Sequence, residues 1–240
     1  MTELKGRIDP VTFALLKKAA TAQVDLGLNE IVIDPERVAA RQAELAAQGV
    51  AQRGYDCLAE HEADINQCQK CPLGKTRTKF VYGAGSDNAG IMLIGEAPGR
   101  NEDLQGIPFV GRAGILLDKI LAAIGFERDD VYIANILKCR PPNNRDPQPE
   151  EMDTCLPYLL EQIRLIQPKV ICALGRVAAQ ALLQTKTPLG KLRKQWHDFH
   201  GVPFLVTYHP AALLRNPAYK RDTWDDVQLL RARYDELMSG

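Results

Sequence analysis

The chain of 240 residues lacks most features that would assign a sequence on sight. No apolar run approaches the ~18 residues of a membrane-spanning helix, so no span is expected. The opening MTELKGRIDP has no apolar core of the signal-peptide kind, and a cytoplasmic location is expected. Net charge is absent too: Lys plus Arg is 30 and Asp plus Glu is 30. Global charge therefore gives no pull toward nucleic acid, although a local basic surface can still bind it. There is no GxxxxGK[ST] and no GxGxxG, which weakens nucleotide and dinucleotide readings. No Ser-His-Asp or Cys-His arrangement stands out, and there is no internal repeat or low-complexity tract. Six cysteines in such a chain point to ligands or core residues rather than a disulfide framework.

What is present is an alternation. Four short apolar runs read as buried strands: IMLIG (91–95), VYIANIL (131–137), VICALG (170–175) and VPFLVTYH (202–209). Helical patterns lie between and after them, at 113–125, 149–166, 176–184 and about 221–238. Such alternation implies an α/β fold, a parallel sheet with helices on both faces. In these sheets ligands bind beyond the carboxyl ends of the strands. Every run here ends in something polar or in glycine: Gly95-Glu96, Asn135, Gly175 and His209. Residues 1–60 differ in texture, being helical and rich in Ala, Gln, Glu and Arg, with DPERVAARQAELAAQG opening on an Asp cap and closing in glycine. They are expected to form a helical N-terminal extension, without a chemical constellation, beside a domain over 61–240.

The cysteines leave alternatives open. Cys68 and Cys71, in CQKC, could be a redox dithiol, half a metal site or a chance pair. Cys139 and Cys155 follow. As one site the four suit either zinc or an iron–sulfur cluster, and spacing does not choose between them. Cys172 falls inside an apolar strand and is expected in the core; Cys57 is read as structural.

The polar strand ends are equally open one by one. Glu96 is a solvated turn acid or a group at the lip of a cleft. Asn135 interrupts a strand, so its amide must be satisfied by backbone or by a ligand. His209 is incidental or a ligand-facing group. Phe109, in the glycine- and proline-rich GIPFVGRAG, is expected as an exposed loop aromatic on which a base or sugar can stack. HPAALLRNP (209–217) reads as a loop with apolar tips beside an arginine, which either packs on its own domain or wedges into a base stack. Lys75, Arg77 and Lys79, or Lys186, Lys191, Arg193 and Lys194, are phosphate contacts or ordinary solvated faces. In the turn GEAPG, Gly95 and Gly99 let backbone approach a ligand, and the acids argue against phosphate as that ligand.

GEAPGRNED, GIPFVGRAG, NILKCRPPNNRDP and HPAALLR, in that order, make the chain resemble the family 4 uracil-DNA glycosylases over about residues 65–235. The resemblance implies a monomeric three-layer α/β/α fold with a central four-stranded parallel sheet, and a [4Fe-4S] cluster held by Cys68, Cys71, Cys139 and Cys155. It implies uracil-containing DNA, single- or double-stranded, as partner. It implies that Phe109 stacks on the flipped uracil, that Asn135 reads its polar edge with help from backbone at Glu96 and Ala97, and that His209 faces O2. Glu96 would position or activate water, since Ala97 stands where better-known branches carry an aspartate. Glu102 would lie near uracil C5, and Leu213, Leu214 and Arg215 would intercalate. Ala211 replaces the serine of many relatives, leaving backbone to make its phosphate contact. The chain has no KRRIH insertion near PFVG, the mark of relatives that trap DNA covalently, so ordinary turnover is implied. Other readings of the same residues are a relaxed glycosylase for hypoxanthine or xanthine, and a non-catalytic uracil-DNA binder.

Overall fold

The computed structural model describes residues 54–239. The expected N-terminal extension lies outside the described residues as far as position 53, and the chain from Cys57 onward forms one compact unit. In order, its helices and strands are α1 (Leu58–Ile65), β1 (Ala84–Gly85), β2 (Ile91–Gly95), α2 (Arg100–Gln105), α3 (Arg112–Ala123), β3 (Tyr132–Asn135), α4 (Pro149–Ile166), β4 (Val170–Leu174), α5 (Arg176–Leu182), α6 (Leu189–Leu192), β5 (His197–Phe199), β6 (Val202–Thr207), α7 (Pro210–Arg215) and α8 (Tyr219–Ser239).

The four apolar runs are the four parallel strands at the centre of the sheet, in the order β3-β2-β4-β6. Every residue of β2, β3 and β4 is buried, which is why these runs are continuously apolar rather than alternating. The sheet is larger than expected. The short β1 and β5 pair antiparallel to β3 and β6 and close the two edges. Strands of two and three residues carry too little pattern to stand out in a sequence.

Ile91 and Leu93 of β2, Leu117 and Leu121 of α3, Cys172 and Leu174 of β4, Leu205 of β6, and Val227 and Leu230 of α8 make one continuous core. The α3 and α8 helices thus share one face of the sheet, and α5 packs against β2 and β4. Cys172 is in the core as expected, 1% exposed. α4 spans the run expected for it, because Pro149 starts it and Gln148 and Glu151 close a reciprocal capping box. No helix among the described residues is long and apolar enough to cross a membrane.

The parallel register sets up the site. Gly95 pairs with Asn135, and Leu174 with Thr207, so β2, β3, β4 and β6 all end at one edge. Glu96, Asn135, Gly175 and His209 meet there.

Candidate active site

At that edge lies a cleft of about 490 Å³, a size suited to a small ligand. Its lining includes Glu96, Ala97, Glu102, Phe109, Asn135, Asp146, Arg176, Tyr208, His209 and Arg215. The sequence-predicted pocket residues therefore converge.

Asn135, at the end of β3, is 2% exposed, and its side-chain Oδ1 has no hydrogen-bond partner among the described residues. A buried amide oxygen left without a donor is costly, by about 1–3 kcal/mol, which favours the ligand reading over the backbone one. Gly95 makes the arrangement possible. A Cβ there would stand 2.4 Å from Asn135 Oδ1 and 2.7 Å from Phe109 Cζ. Its empty side is thus filled by protein groups, not by a ligand as expected. The space beside Gly99 is likewise taken, by Glu102 Oε2 at 2.7 Å from a Cβ built there.

Phe109 is not an exposed loop aromatic. It is 5% exposed, with φ of 53°, and its ring lies 5.3 Å from the His209 ring at 30° between planes. The loop carries it inward because Glu102 Oε1 accepts from the amides of Val110 (2.9 Å) and Gly111 (2.8 Å). Glu102 also borders the cleft, but this carboxylate oxygen is committed to the loop.

His209 is the N-cap of α7 and half-buried. Its Nδ1 accepts from the amide of Ala211 at 3.1 Å. That bond assigns the proton to Nε2 in the neutral ring. Burial, followed by the Arg215 charge, lowers its pKa to about 4, so the ring is neutral at physiological pH. The same bond occupies the Ala211 amide, and His209 O accepts from Ala212 N at 2.8 Å. The backbone donor expected to replace a missing serine hydroxyl is therefore already engaged.

Glu96 is half-buried. Burial raises its pKa to about 7, Asp146 pushing the same way and Arg176 opposing. Asp146 and Arg176 pair at 2.9 Å on the cleft wall. A carboxyl that changes charge near neutrality in a cleft is suited to proton transfer or to holding water.

HPAALLR is not a loop. Pro210 takes the first helical position behind the His209 cap, and Ala-Ala-Leu-Leu propagates a turn and a half. The helix separates the three expected wedge residues: Leu213 is buried, while Leu214 and Arg215 are exposed. Both expected phosphate clusters are also altered. Arg77 donates to the carbonyls of Cys68 and Asn66 and to Cys139 Sγ (3.4 Å). Arg193 is buried against Asp226 at 2.7 Å, and Lys194 pairs with Asp222 and Asp225. Lys75, Lys186 and Lys191 stay exposed.

The cysteines of the expected ligand set lie within electrostatic reach of each other. Burial raises the Cys139 thiol, with Cys71 and Cys68 adding to it, and pushes Cys155 up to about 12, with Cys139 and Cys71 adding. Their sulfurs accept from Arg77, from the Lys138 amide (Cys155, 3.3 Å) and from the Tyr158 hydroxyl (Cys68, 3.2 Å). No group of three or more His, Cys, Asp or Glu among the described residues is close enough to hold a single metal ion.

Sequence reading missed two residues. Lys138 is fully buried, donating to Asn135 O at 3.0 Å and to Gln162 Oε1, between the cysteines and the cleft. Its signal was a charge inside the apolar run ANILKC. Arg128 donates to the carbonyls of Pro108 and Phe109 from an ordinary surface turn, and nothing local marks it.

A family model described as the uracil DNA glycosylase superfamily matches residues 82–228. The chain is similar to the type-4 uracil-DNA glycosylase of Archaeoglobus fulgidus, 46% identical over 173 residues, covering 69% of this chain and 87% of that protein. It is similar to the type-4 enzyme of Thermotoga maritima, 46% identical over 168 residues, covering 68% and 88%. A type-5 uracil-DNA glycosylase of Pyrobaculum aerophilum is 32% identical over 146 residues, covering 54% and 64%.

Proposed function

The chain belongs to the uracil-DNA glycosylase superfamily, and from that membership we propose that it flips uracil out of DNA and hydrolyses its N-glycosidic bond, leaving an abasic site. The observation that carries this reading is the orphaned Oδ1 of Asn135, a residue that lines the cleft. It is an acceptor suited to uracil N3–H, and its amide nitrogen can donate to O4. Cytosine would present an amine to a donor and a bare nitrogen to an acceptor, so it would be rejected.

The chemistry asks for three services. Extrusion of the base costs a few kcal/mol, and stacking on Phe109 offsets about 1–3 kcal/mol of it. Uracil leaves with negative charge, so it needs a donor at O2. His209, neutral and protonated on Nε2, fits that role, and one such donor contributes about 3–4 kcal/mol. The sugar becomes oxocarbenium-like and is met by water. Glu96, with its pKa near 7, would orient that water or accept its proton, an effect of about 10²–10⁴-fold. Ala97 and Glu102 would border the base, with Glu102 acting chiefly through the 109–111 loop. Leu214 and Arg215 would enter the space that the base leaves, while Leu213 anchors their helix. A monomeric enzyme is part of the same proposal, carried by the family resemblance.

Cys68, Cys71, Cys139 and Cys155 would hold a [4Fe-4S] cluster. Burial raises the Cys139 and Cys155 thiols, so those two sulfurs call for a strong positive partner to stay thiolates, and N–H and O–H donors already reach Cys68, Cys139 and Cys155. Four cysteines suit zinc as well as a cluster, and the choice of the cluster rests on the type-4 relatives. When bound, the cluster would cross-link the 68–71 loop, the segment after β3 and helix α4; the hydrolysis moves no electrons.

The test is to incubate the protein with uracil-containing DNA, cleave abasic sites, and repeat with thymine- and hypoxanthine-containing duplexes. Uracil-dependent cleavage lost in Asn135→Ala and His209→Ala is expected. Full release by either variant would sink the site assignment, and tight binding without release would make the protein a binder instead.

A further inference from the structure

Phe109 adopts a backbone conformation, φ of 53°, that bulky L residues rarely visit. Two side chains from either side of it in the sequence grip the loop around it. On one side, Glu102 Oε1 accepts from the amides of Val110 and Gly111. On the other, Arg128 donates from Nη1 to Phe109 O at 3.0 Å and from Nη2 to Pro108 O. Arg128 is oriented in turn by Asp118 of α3, 3.1 Å from Nη1. Gly114, in the first turn of α3, leaves room for the same carbonyl: a Cβ there would lie 1.7 Å from Phe109 O.

We propose that Arg128 is a positioning residue for the glycosylase reaction. Through the carbonyls of Pro108 and Phe109 it holds the Phe109 ring where it meets both the flipped base and His209, although Arg128 does not itself line the cleft. The inference rests on the reading of the cleft as a uracil pocket. Three acceptors spread around one guanidinium explain the choice of arginine. A planar fork serves separated acceptors together, whereas the lysine ammonium is a single point charge. Arg128 contributes little to its own surroundings. The turn Arg128–Asp130 is closed by Glu127 and Asp130, whose side chains cap each other's amides without it. Its loss is therefore felt at Phe109 rather than in the fold.

The experiment is a double-mutant cycle in the full-length protein, with Arg128→Ala, Phe109→Ala and the pair. Three quantities are read: single-turnover uracil release, inhibition by free uracil, and Tm. Arg128→Ala is expected to slow release by about 10- to 100-fold, the scale of a 1 Å misplacement, and to weaken inhibition by free uracil at nearly unchanged Tm. In the Phe109→Ala background, removing Arg128 should add no more than about 2-fold, because the two act as one unit. Arg128→Lys should recover only part of the loss, and it carries the same cycle if Arg128→Ala does not fold. Losses that multiply in the double variant, or an Arg128→Ala enzyme with wild-type rate and wild-type uracil inhibition, overturn the proposal while leaving the pocket reading standing. A wild-type protein that releases no uracil overturns both.

Discussion

Gly95→Ala adds one methyl group, and the structure says where it would go. The new Cβ would stand 2.4 Å from Asn135 Oδ1 and 2.7 and 2.8 Å from Phe109 Cζ and Cε2, where ordinary contact begins at 3.4 Å. The amide oxygen is therefore about 1 Å too close, and both neighbours are buried, Asn135 at 2% and Phe109 at 5% exposed, so the space open to them is the cleft that the base would occupy. Overpacking of this kind costs about 1–3 kcal/mol, and at this size Tm falls about 2–4 °C per kcal/mol, so a Tm loss of about 2–12 °C is expected. The effect on rate should be larger than the effect on folding. Asn135 and Phe109 are the groups proposed to read and stack the base, and a 1 Å error in such groups costs on the order of 10²-fold. Single-turnover uracil release, measured alongside a melting curve, checks both numbers. Gly190→Ala is the control, because a Cβ there has nothing within 4 Å; it should keep wild-type rate and Tm. A Gly95→Ala enzyme within threefold of wild type at unchanged Tm would falsify the argument that this close packing defines the pocket.

Three further outcomes are expected. In its proposed role Glu96 works as a carboxylate, so uracil release should rise with pH through about 7, and Glu96→Gln should be slow with that limb gone; a limb that persists belongs to another group. Because the folded-state pKa stands above the ordinary 4.5, this group weakens the fold as pH rises from 4.5 through about 7. Glu96→Gln should accordingly melt higher than wild type above pH 7 and lose that advantage below 4.5. Leu213→Ala should cost about 2–5 kcal/mol of stability as a buried truncation, while Leu214→Ala should leave Tm alone and slow release from duplex more than from single-stranded DNA; equal Tm for the two variants contradicts the inward and outward assignment. Cys155→Ser should lose iron and sulfide and the visible colour of the protein, whereas Cys172→Ser keeps them; full iron in the first would remove Cys155 from the ligand set.

The central sheet was legible because its strands are buried on both faces. Runs such as IMLIG and VICALG are apolar throughout, and nothing else in the chain competes for that pattern. α4 was legible from its helical pattern over 149–166, and the structure adds the Pro149 start and the capping box. HPAALLR misled because prolines at 210 and 217 look like loop punctuation, yet a proline at the first helical position starts a helix as readily as it ends one. Phe109 misled because a loop aromatic amid glycine and proline looks exposed. The Glu102 and Arg128 bonds, formed over 8 and 19 residues of separation, hold the loop with the ring turned inward. Arg77 and Arg193 looked like free surface charge until their partners came within reach.

Residue types and order alone settled the parallel α/β core, the meeting of polar residues at its strand ends and the likeness to a glycosylase family, since hydrophobic period and short motifs are local properties. Tertiary structure decided how those residues act. The proton position on His209, the unsatisfied oxygen of Asn135, the raised pKa of Glu96 and the buried Lys138 all depend on burial and on partners brought together from distant segments. Desolvation and hydrogen-bond geometry are set by neighbours in space, and one-dimensional order does not contain them.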